Sequence, residues 1–274
     1  EKLVHWLLTD ARPDVVHLSN SMQIGMARRL KQHCCPPVIC QLSGEDLFLE
    51  KLPPPYYEQA REQLRERAAE VDAFVALNRY YADFMADYLA VDRGKVHVIP
   101  HGLALDGHGR RIEKQPHEPR RIGYLACICE DKGLHLLVAA CEALAKRDDL
   151  PPFELHAAGY LGPVDRPYFA TIEQHIAAGP LAGRFHYHGE LDRPQKIAFL
   201  ESLDVFSTPT VYRESKGLPA LEALANAVPV VLPDHGSFPE IIADTGGGLL
   251  CRPLDPSDLA AKLAELLRDP MRAT

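Results

Sequence analysis

No apolar run in this chain approaches the roughly 18 residues that a membrane-spanning helix needs, so no integral membrane segment is expected. Positive charge is also short. The 30 Lys and Arg stand against 38 Asp and Glu, for a formal charge of −8. That balance argues against nucleic acid as a partner and against broad attraction to anionic membranes, while leaving room for a local basic pocket. Residues 1–10 lack the basic start and long apolar core of a signal peptide. Paired C-x-x-C motifs are missing. The seven cysteines, Cys34, Cys35, Cys40, Cys127, Cys129, Cys141 and Cys251, are odd in number and irregular in spacing, which fits reduced thiols and a cytoplasmic location. His33 with Cys34, Cys35 and Cys40 can be drawn as a metal cluster, but Pro36-Pro37 leads into a strand-like Val38-Ile39, and no metal is expected. The thirteen histidines are scattered and read mostly as surface residues. Neither an internal repeat nor a low-complexity tract occurs.

What is present is ordinary globular composition, 46% hydrophobic and 25% charged over 274 residues. Strand-like and helix-like segments alternate. Strands are expected at residues 14–18, 38–42, 73–77 and 96–99, with helices at 22–32, 53–70 and 80–89 between them. Residues 101–119 are rich in glycine, proline and charge and read as connecting chain. Alternation then resumes, with strands at 121–125, 154–158, 185–188, 205–207 and 228–232. Helices are expected at 134–146, 166–177, 194–203, 219–226, 239–242 and 256–267. This is the grammar of the doubly wound α/β class, twice over: two Rossmann-like domains facing a cleft. The expected domains are residues 1–105, incomplete in strand number, and 120–274, joined by a linker at 106–119. The chain opens inside a helix-like segment and closes just after a helix, and it reads as truncated at both ends.

The most informative stretch is Y-R-E-S-K-G-L-P-A-L-E-A-L-A-N-A-V-P-V-V, residues 212–231. Glu214 and Glu222 are separated by seven residues, with Gly217 and Pro219 between them, and an apolar strand follows. A loop–helix–strand unit of this kind puts Glu214 at the mouth of a helix and Glu222 about one turn inside. The free N–H groups at a helix amino terminus favour an anion. Carboxylates beside an anion site suit a ligand carrying both phosphate and hydroxyl groups, as a sugar nucleotide does.

These residues resemble the retaining glycosyltransferases of family 4, which have the GT-B fold. The resemblance extends over nearly the whole chain. Its E-x7-E element is preceded by S-T-P-T-V-Y-R-E, and I-G-Y-L-A-C-I-C-E-D-K-G-L, H-A-A-G-Y, H-G-S-F-P-E-I and T-G-G-G-L-L add to it. In the first half R-P-D-V-V-H-L, S-G-E-D-L-F and V-I-P-H-G also fit. The resemblance implies roles. Glu214 faces the donor sugar near the reaction centre, Glu222 binds the ribose hydroxyls, and Lys132 contacts the diphosphate. Backbone amides around Lys216, Gly217 and Leu218 hold the distal phosphate. Gly159, His235 and Gly236 lie near the donor, and Asp46 with Glu45 stands on the acceptor side. The donor is a nucleotide diphosphate sugar, no cofactor or metal is required, and the acceptor is an unidentified glycan, lipid or small molecule. Peripheral membrane contact is assigned to amino-terminal residues that this chain lacks.

Three departures accompany the resemblance. The family's diphosphate-pairing arginine falls at Cys127, whose neutral thiol offers none of a guanidinium's five donors. Losing one such contact costs roughly 2–4 kcal/mol of transition-state stabilisation. A histidine common at the end of the acceptor-side strand falls near Ser43. The glycine-rich loop of the first domain and the carboxyl-terminal crossing helix are not in this sequence. These departures motivate an alternative, a catalytically impaired remnant that still binds sugar nucleotides. A phosphorylase or epimerase on the same fold is disfavoured by the E-x7-E context.

Overall fold

The computed structural model describes residues 2–33, 36–109 and 118–269. Cys34 and Cys35, and residues 110–117 of the expected linker, lie outside the described residues. The chain forms two compact units, residues 1–102 and 103–274.

The first unit runs α1 (Lys2–Trp6), β1 (Val16–Leu18), α2 (Gly25–Gln32), β2 (Val38–Gln41), α3 (Asp46–Leu49), α4 (Tyr56–Ala68), β3 (Ala73–Ala76), α5 (Arg79–Leu89) and β4 (Val96–Val98). Its four strands lie in the order β1-β2-β3-β4, all parallel. Parallel pairing requires a crossover between neighbours, which the helices provide, and these cover the strands' apolar side chains. Val38, Cys40, Phe74 and Ala76 are fully buried there with Leu30, Met85 and Leu89 from α2 and α5. Burial pushes the Cys40 thiol up to about 12, so it is a core thiol and no ready metal ligand. The charged helix α4 buries only Leu64 and Ala68, and its exposed Glu66 pairs with Arg28 of α2 at 3.4 Å. The short α3 has no counterpart among the sequence expectations, being a single turn with too little periodicity to read.

The second unit runs β5 (Arg120–Leu125), α6 (Leu134–Leu144), β6 (Phe153–Ala158), α7 (Arg166–Ala178), β7 (Phe185–Tyr187) and α8 (Arg193–Glu201). It continues with β8 (Val205–Phe206), α9 (Leu218–Ala225), β9 (Val230–Pro233), α10 (Phe238–Thr245), β10 (Gly248–Cys251) and α11 (Pro256–Arg268). The sheet order is β10-β9-β8-β5-β6-β7, all parallel. The chain starts in the middle, winds outward through β6 and β7, then returns to the other side of β5 and winds outward again. One apolar cluster joins β5 and β6 to α6, α7 and α11. A second joins the opposite side to α8, α9 and α10. All four residues of β9 are buried, which explains its continuous apolar run.

Three readings change. The strand after α9 begins at Val230 and not at Val228, because Pro229 has no N–H to give a ladder; its carbonyl accepts from Phe206 N at 2.9 Å. β10 was hidden by its glycines. A Cβ on Gly248 would sit 2.2 Å from the Val230 carbonyl oxygen, so glycine is what lets the two strands approach. Leu103 to Gly109, expected largely as connector, belongs to the second unit. Gly109 N donates to Asn226 Oδ1 at 3.1 Å, and the Arg193 guanidinium donates to the carbonyls of Ala104 (2.7 Å) and Asp106 (2.9 Å).

Gly248→Ala should therefore lower stability by about 1–3 kcal/mol through backbone overpacking. Urea unfolding monitored by circular dichroism checks this; an unchanged midpoint would show that β10 shifts without cost.

Candidate functional site

Reversal of winding direction opens a crevice at the carboxyl ends of the two strands where it occurs. In the second unit those strands are β5 and β8. The loop after β5 carries Cys127 and Lys132, and the loop after β8 carries Tyr212, Glu214 and Lys216. The two loops touch: Val211 N donates to the Asp131 carbonyl at 2.9 Å. Gly133, with φ +75°, comes so close that a Cβ would lie 1.9 Å from Pro209 O.

Lys132 and Glu214 meet across this contact. Lys132 Nζ donates to Glu214 Oε2 at 2.8 Å and also bonds the Tyr212 hydroxyl. Tyr212 in turn donates to the same carboxylate oxygen at 2.7 Å, and the ammonium lies 4.8 Å from the Tyr212 ring centroid. The other carboxylate oxygen accepts from Lys216 N at 3.1 Å. Burial pushes the Glu214 carboxyl upward, but the Lys132 charge, the Tyr212 hydroxyl and the Lys216 amide outweigh it and hold the group below the ordinary glutamate range. Burial, and then the charge of Glu214, push the Tyr212 phenol well up, so it stays a donor. Tyr212 was not singled out from the sequence, although its position two residues before Glu214 was legible as part of the same motif.

α9 begins at Leu218 after Gly217, whose φ is +65° and whose Cβ position is filled by Ile241 Cδ1 at 2.5 Å. Only glycine fits there. The Gly217 and Leu218 amides have no acceptor among the described residues, whereas the Lys216 amide is engaged by Glu214. Glu222 lies on α9 and accepts from Lys196 Nζ of α8 at 2.5 Å. Lys196 was also missed; it lies 26 residues earlier and only the packing of α8 on α9 brings it in.

His235 and Gly236 come from the loop after β9. His235 Nε2 is 3.0 Å from the Thr210 carbonyl, which assigns its proton there, and the buried Nδ1 has no partner. Burial lowers the pKa of this ring. A Cβ on Gly236, at φ +62°, would lie 2.5 Å from Glu214 O, and Ser237 N donates to that oxygen at 2.8 Å. The β8 and β9 loops are thus locked together under Glu214. Gly159 ends β6 with its Cβ position only 1.8 Å from Ala126 O, bracing the loop after β5. Cys127 in that loop is exposed.

Asp46 and Glu45, expected on the acceptor side, lie at the start of α3 in the first unit and are 6% and 5% exposed. Glu45 accepts from Ser21 N at 2.8 Å and Ser43 N at 2.6 Å, while Asp46 accepts from Tyr81 Oη at 2.6 Å. Buried backbone amides need acceptors, and Glu45 supplies one to Ser21 and Ser43, while Asp46 anchors the Tyr81 hydroxyl.

Residues 109–274 match the family described as glycosyl transferases group 1, and residues 2–106 match glycosyltransferase family 4. The chain belongs to the group 1 glycosyl transferases. It is 32% identical over 175 residues to a phosphatidyl-myo-inositol mannosyltransferase of Mycolicibacterium smegmatis, covering 62% of this chain and 42% of that protein. It is 30% identical over 179 residues to the putative colanic acid biosynthesis glycosyltransferase WcaL of Salmonella typhimurium, covering 64% and 42%. The chain thus spans less than half the length of these curated relatives. Among solved structures, Anabaena HepE in complex with UDP superposes with a TM-score of 0.81 at 16% identity, over 99% of this chain and 73% of that one. Sucrose-phosphate synthase from Thermosynechococcus elongatus gives 0.78 at 20%, over 99% and 69%. The fold is GT-B. Among the described residues, no helix is long and apolar enough to cross a membrane.

The Lys132–Glu214 pair yields a pH-dependent expectation. The folded pKa of Glu214 is depressed, so its contribution to stability is present above the unfolded glutamate pKa and is lost as pH falls through the folded value. Lys132→Met removes the compensation. The variant should lose roughly 2–4 kcal/mol at neutral pH, discounted for the partial exposure of Lys132. Part of that deficit should disappear on acidification, as the stranded carboxyl takes up a proton. Urea unfolding of both proteins at pH 7 and pH 5 tests this, and an equal deficit at both would contradict it.

Proposed function

We propose that this chain is part of a retaining glycosyltransferase that moves a hexosyl group from a nucleotide diphosphate sugar to an acceptor hydroxyl. One observation carries the reading: the Lys132–Tyr212–Glu214 knot sits at the winding reversal, beside the unengaged Gly217 and Leu218 amides at the start of α9. A diphosphate is matched by Lys132 and those amides. Glu222, on the same helix, is suited to the ribose hydroxyls, and Glu214 to the hydroxyls of the transferred sugar. His235 and Gly236 shape the floor beneath it, and Gly159 shapes the adjoining loop. Lys216 contributes through its ammonium rather than its amide, which Glu214 occupies. Glu45 and Asp46, buried as they are, support the acceptor side indirectly, Glu45 through the Ser21 and Ser43 amides and Asp46 through the Tyr81 hydroxyl.

The chemistry follows from the electrostatics. Glu214 is held ionised by three donors, which makes its oxygens hydrogen-bond acceptors of low basicity and poor nucleophiles. A covalent sugar on Glu214 is therefore disfavoured. Instead the bond from the anomeric carbon to the diphosphate oxygen breaks, and the acceptor oxygen attacks from the same face. The acceptor's proton passes to the departing phosphate oxygen. Lys132 and the α9 amides stabilise the negative charge that grows on the leaving group, and no metal is needed for that step. The impaired-remnant alternative gains nothing from the structure: the exposure of Cys127 leaves its loop free to meet a diphosphate without it.

Calorimetric titration with a nucleoside diphosphate tests the reading, with no binding at millimolar ligand sinking it. Glu222→Ala should weaken binding by about tenfold, the worth of a charged hydrogen bond. Glu214→Ala should leave nucleotide affinity nearly unchanged and slow transfer, because a contact to the reacting sugar is felt most in the transition state. If both changes altered only the Michaelis constant for the donor, the division of roles would be wrong.

Cys127→Arg supplies the missing guanidinium at an exposed loop position five residues before Lys132. It should raise nucleoside-diphosphate affinity by roughly 1–3 kcal/mol without lowering the melting temperature. A folded variant with unchanged affinity would remove Cys127 from the diphosphate site.

A further inference from the structure

Three of the thirteen histidines, scattered in sequence, converge on one face of the second unit's sheet. His156 of β6 stands opposite His186 of β7 in the parallel register. Alternation along each strand puts Glu154 and His188 on the same face. His156 is stacked between the other two rings, 4.7 Å from His186 and 5.2 Å from His188 between centroids. Glu154 Oε2 is 3.1 Å from His156 Nε2 and 3.6 Å from His186 Nε2, and the three ligand atoms lie within 4.8 Å of one another. His186 Nε2 is buried and has no hydrogen-bond partner.

We propose that Glu154, His156 and His186 bind a first-row divalent cation of the zinc class, clamping the edge strand β7 to β6. Four observations support the assignment. The donor set, two imidazole nitrogens and a carboxylate oxygen, is one that zinc favours. At metal–ligand distances of about 2.0–2.2 Å, tetrahedral ligands stand roughly 3.3 Å apart, and the separations of Glu154 from the two histidines, 3.1 and 3.6 Å, bracket that spacing. The buried His186 nitrogen makes no hydrogen bond, with Glu154 Oε2 3.6 Å away, and a cation among the three would engage it. Lastly, the remaining ring nitrogen of His156, Nδ1, is 3.0 Å from His188 Nε2. A proton on Nδ1, donated to His188, leaves the Nε2 lone pair aimed at the cluster, the usual outer support of a metal-bound histidine. Arg121 of β5 stands in register beside Glu154, and its positive charge opposes a cation at the cluster, so the affinity must come from the three ligands. Three protein ligands leave a fourth position for water. The cluster belongs to the sheet and has no part in the transfer reaction proposed above, so the two readings stand or fall separately.

The test uses the whole chain, stripped with a chelator and titrated with Co²⁺ as a spectroscopic probe and Zn²⁺ as a stabiliser. One equivalent of Co²⁺ should bring up the visible absorption of a low-coordinate ion, and Zn²⁺ should raise the melting temperature. His186→Ala, at a partly exposed ring, should weaken binding at least tenfold, and Glu154→Gln should do so while keeping the side-chain shape. His188→Ala, which removes only the outer support, should cost about 10- to 100-fold in affinity. His175→Ala, an exposed histidine paired with Glu142 elsewhere, should change nothing. No saturable binding below about millimolar metal would overturn the proposal, as would folded His186→Ala and Glu154→Gln variants that bind as tightly as the wild type.

Discussion

A carboxylate taken out of water must be compensated where it stands, and Glu214 is the largely buried carboxylate around which the second unit's site is arranged. Its compensation comes from a different loop: Lys132 follows β5 and Glu214 follows β8, strands adjacent only because the sheet reverses its winding there. The pair therefore reports that the sheet has closed correctly. Its net worth is modest, since desolvation offsets much of the attraction, but losing one partner costs far more than the pair contributes. That asymmetry ties the site to the fold.

Backbone shape does the remaining work. Gly133, Gly217 and Gly236 all adopt positive φ, and each has another chain segment where its Cβ would be. Gly133 lets the two loops touch, Gly217 seats α9 on α10, and Gly236 brings the β9 loop under Glu214. None of these contacts presents a side chain to a ligand. Together they fix the position of a carboxylate, an ammonium and two free amides without using any of the polar groups that would do chemistry.

Much of this was legible beforehand because parallel α/β sheets leave strong traces. Continuous apolar runs such as residues 230–232 mark strands buried on both faces, and Glu214, Glu222 and Lys132 stand out by motif. What was not legible falls into two kinds. β10 was hidden because Gly248, required by the close approach of Val230, carries no periodic signal. Lys196 and the histidine stack were hidden because their partners are some 26 to 32 residues away in sequence, joined by helix packing and strand register. The burial of Asp46 was not legible because its partner, the Tyr81 hydroxyl, lies 35 residues away in sequence.

The central position of β5 has a consequence in time. β5 is the first strand of its unit to be made, and its one edge pairs with β6, where Arg120 meets Phe153. Its other edge waits for Val205, which pairs with Ile122 only after the whole of β6, α7, β7 and α8 has been synthesised. Until then the strand carries an open edge and an uncovered apolar face. Closing so long a loop is a slow step set by topology. The β5–β6–β7 half is thus the natural early-folding part, and the reversal that creates the site follows it, before β9 and β10 are added.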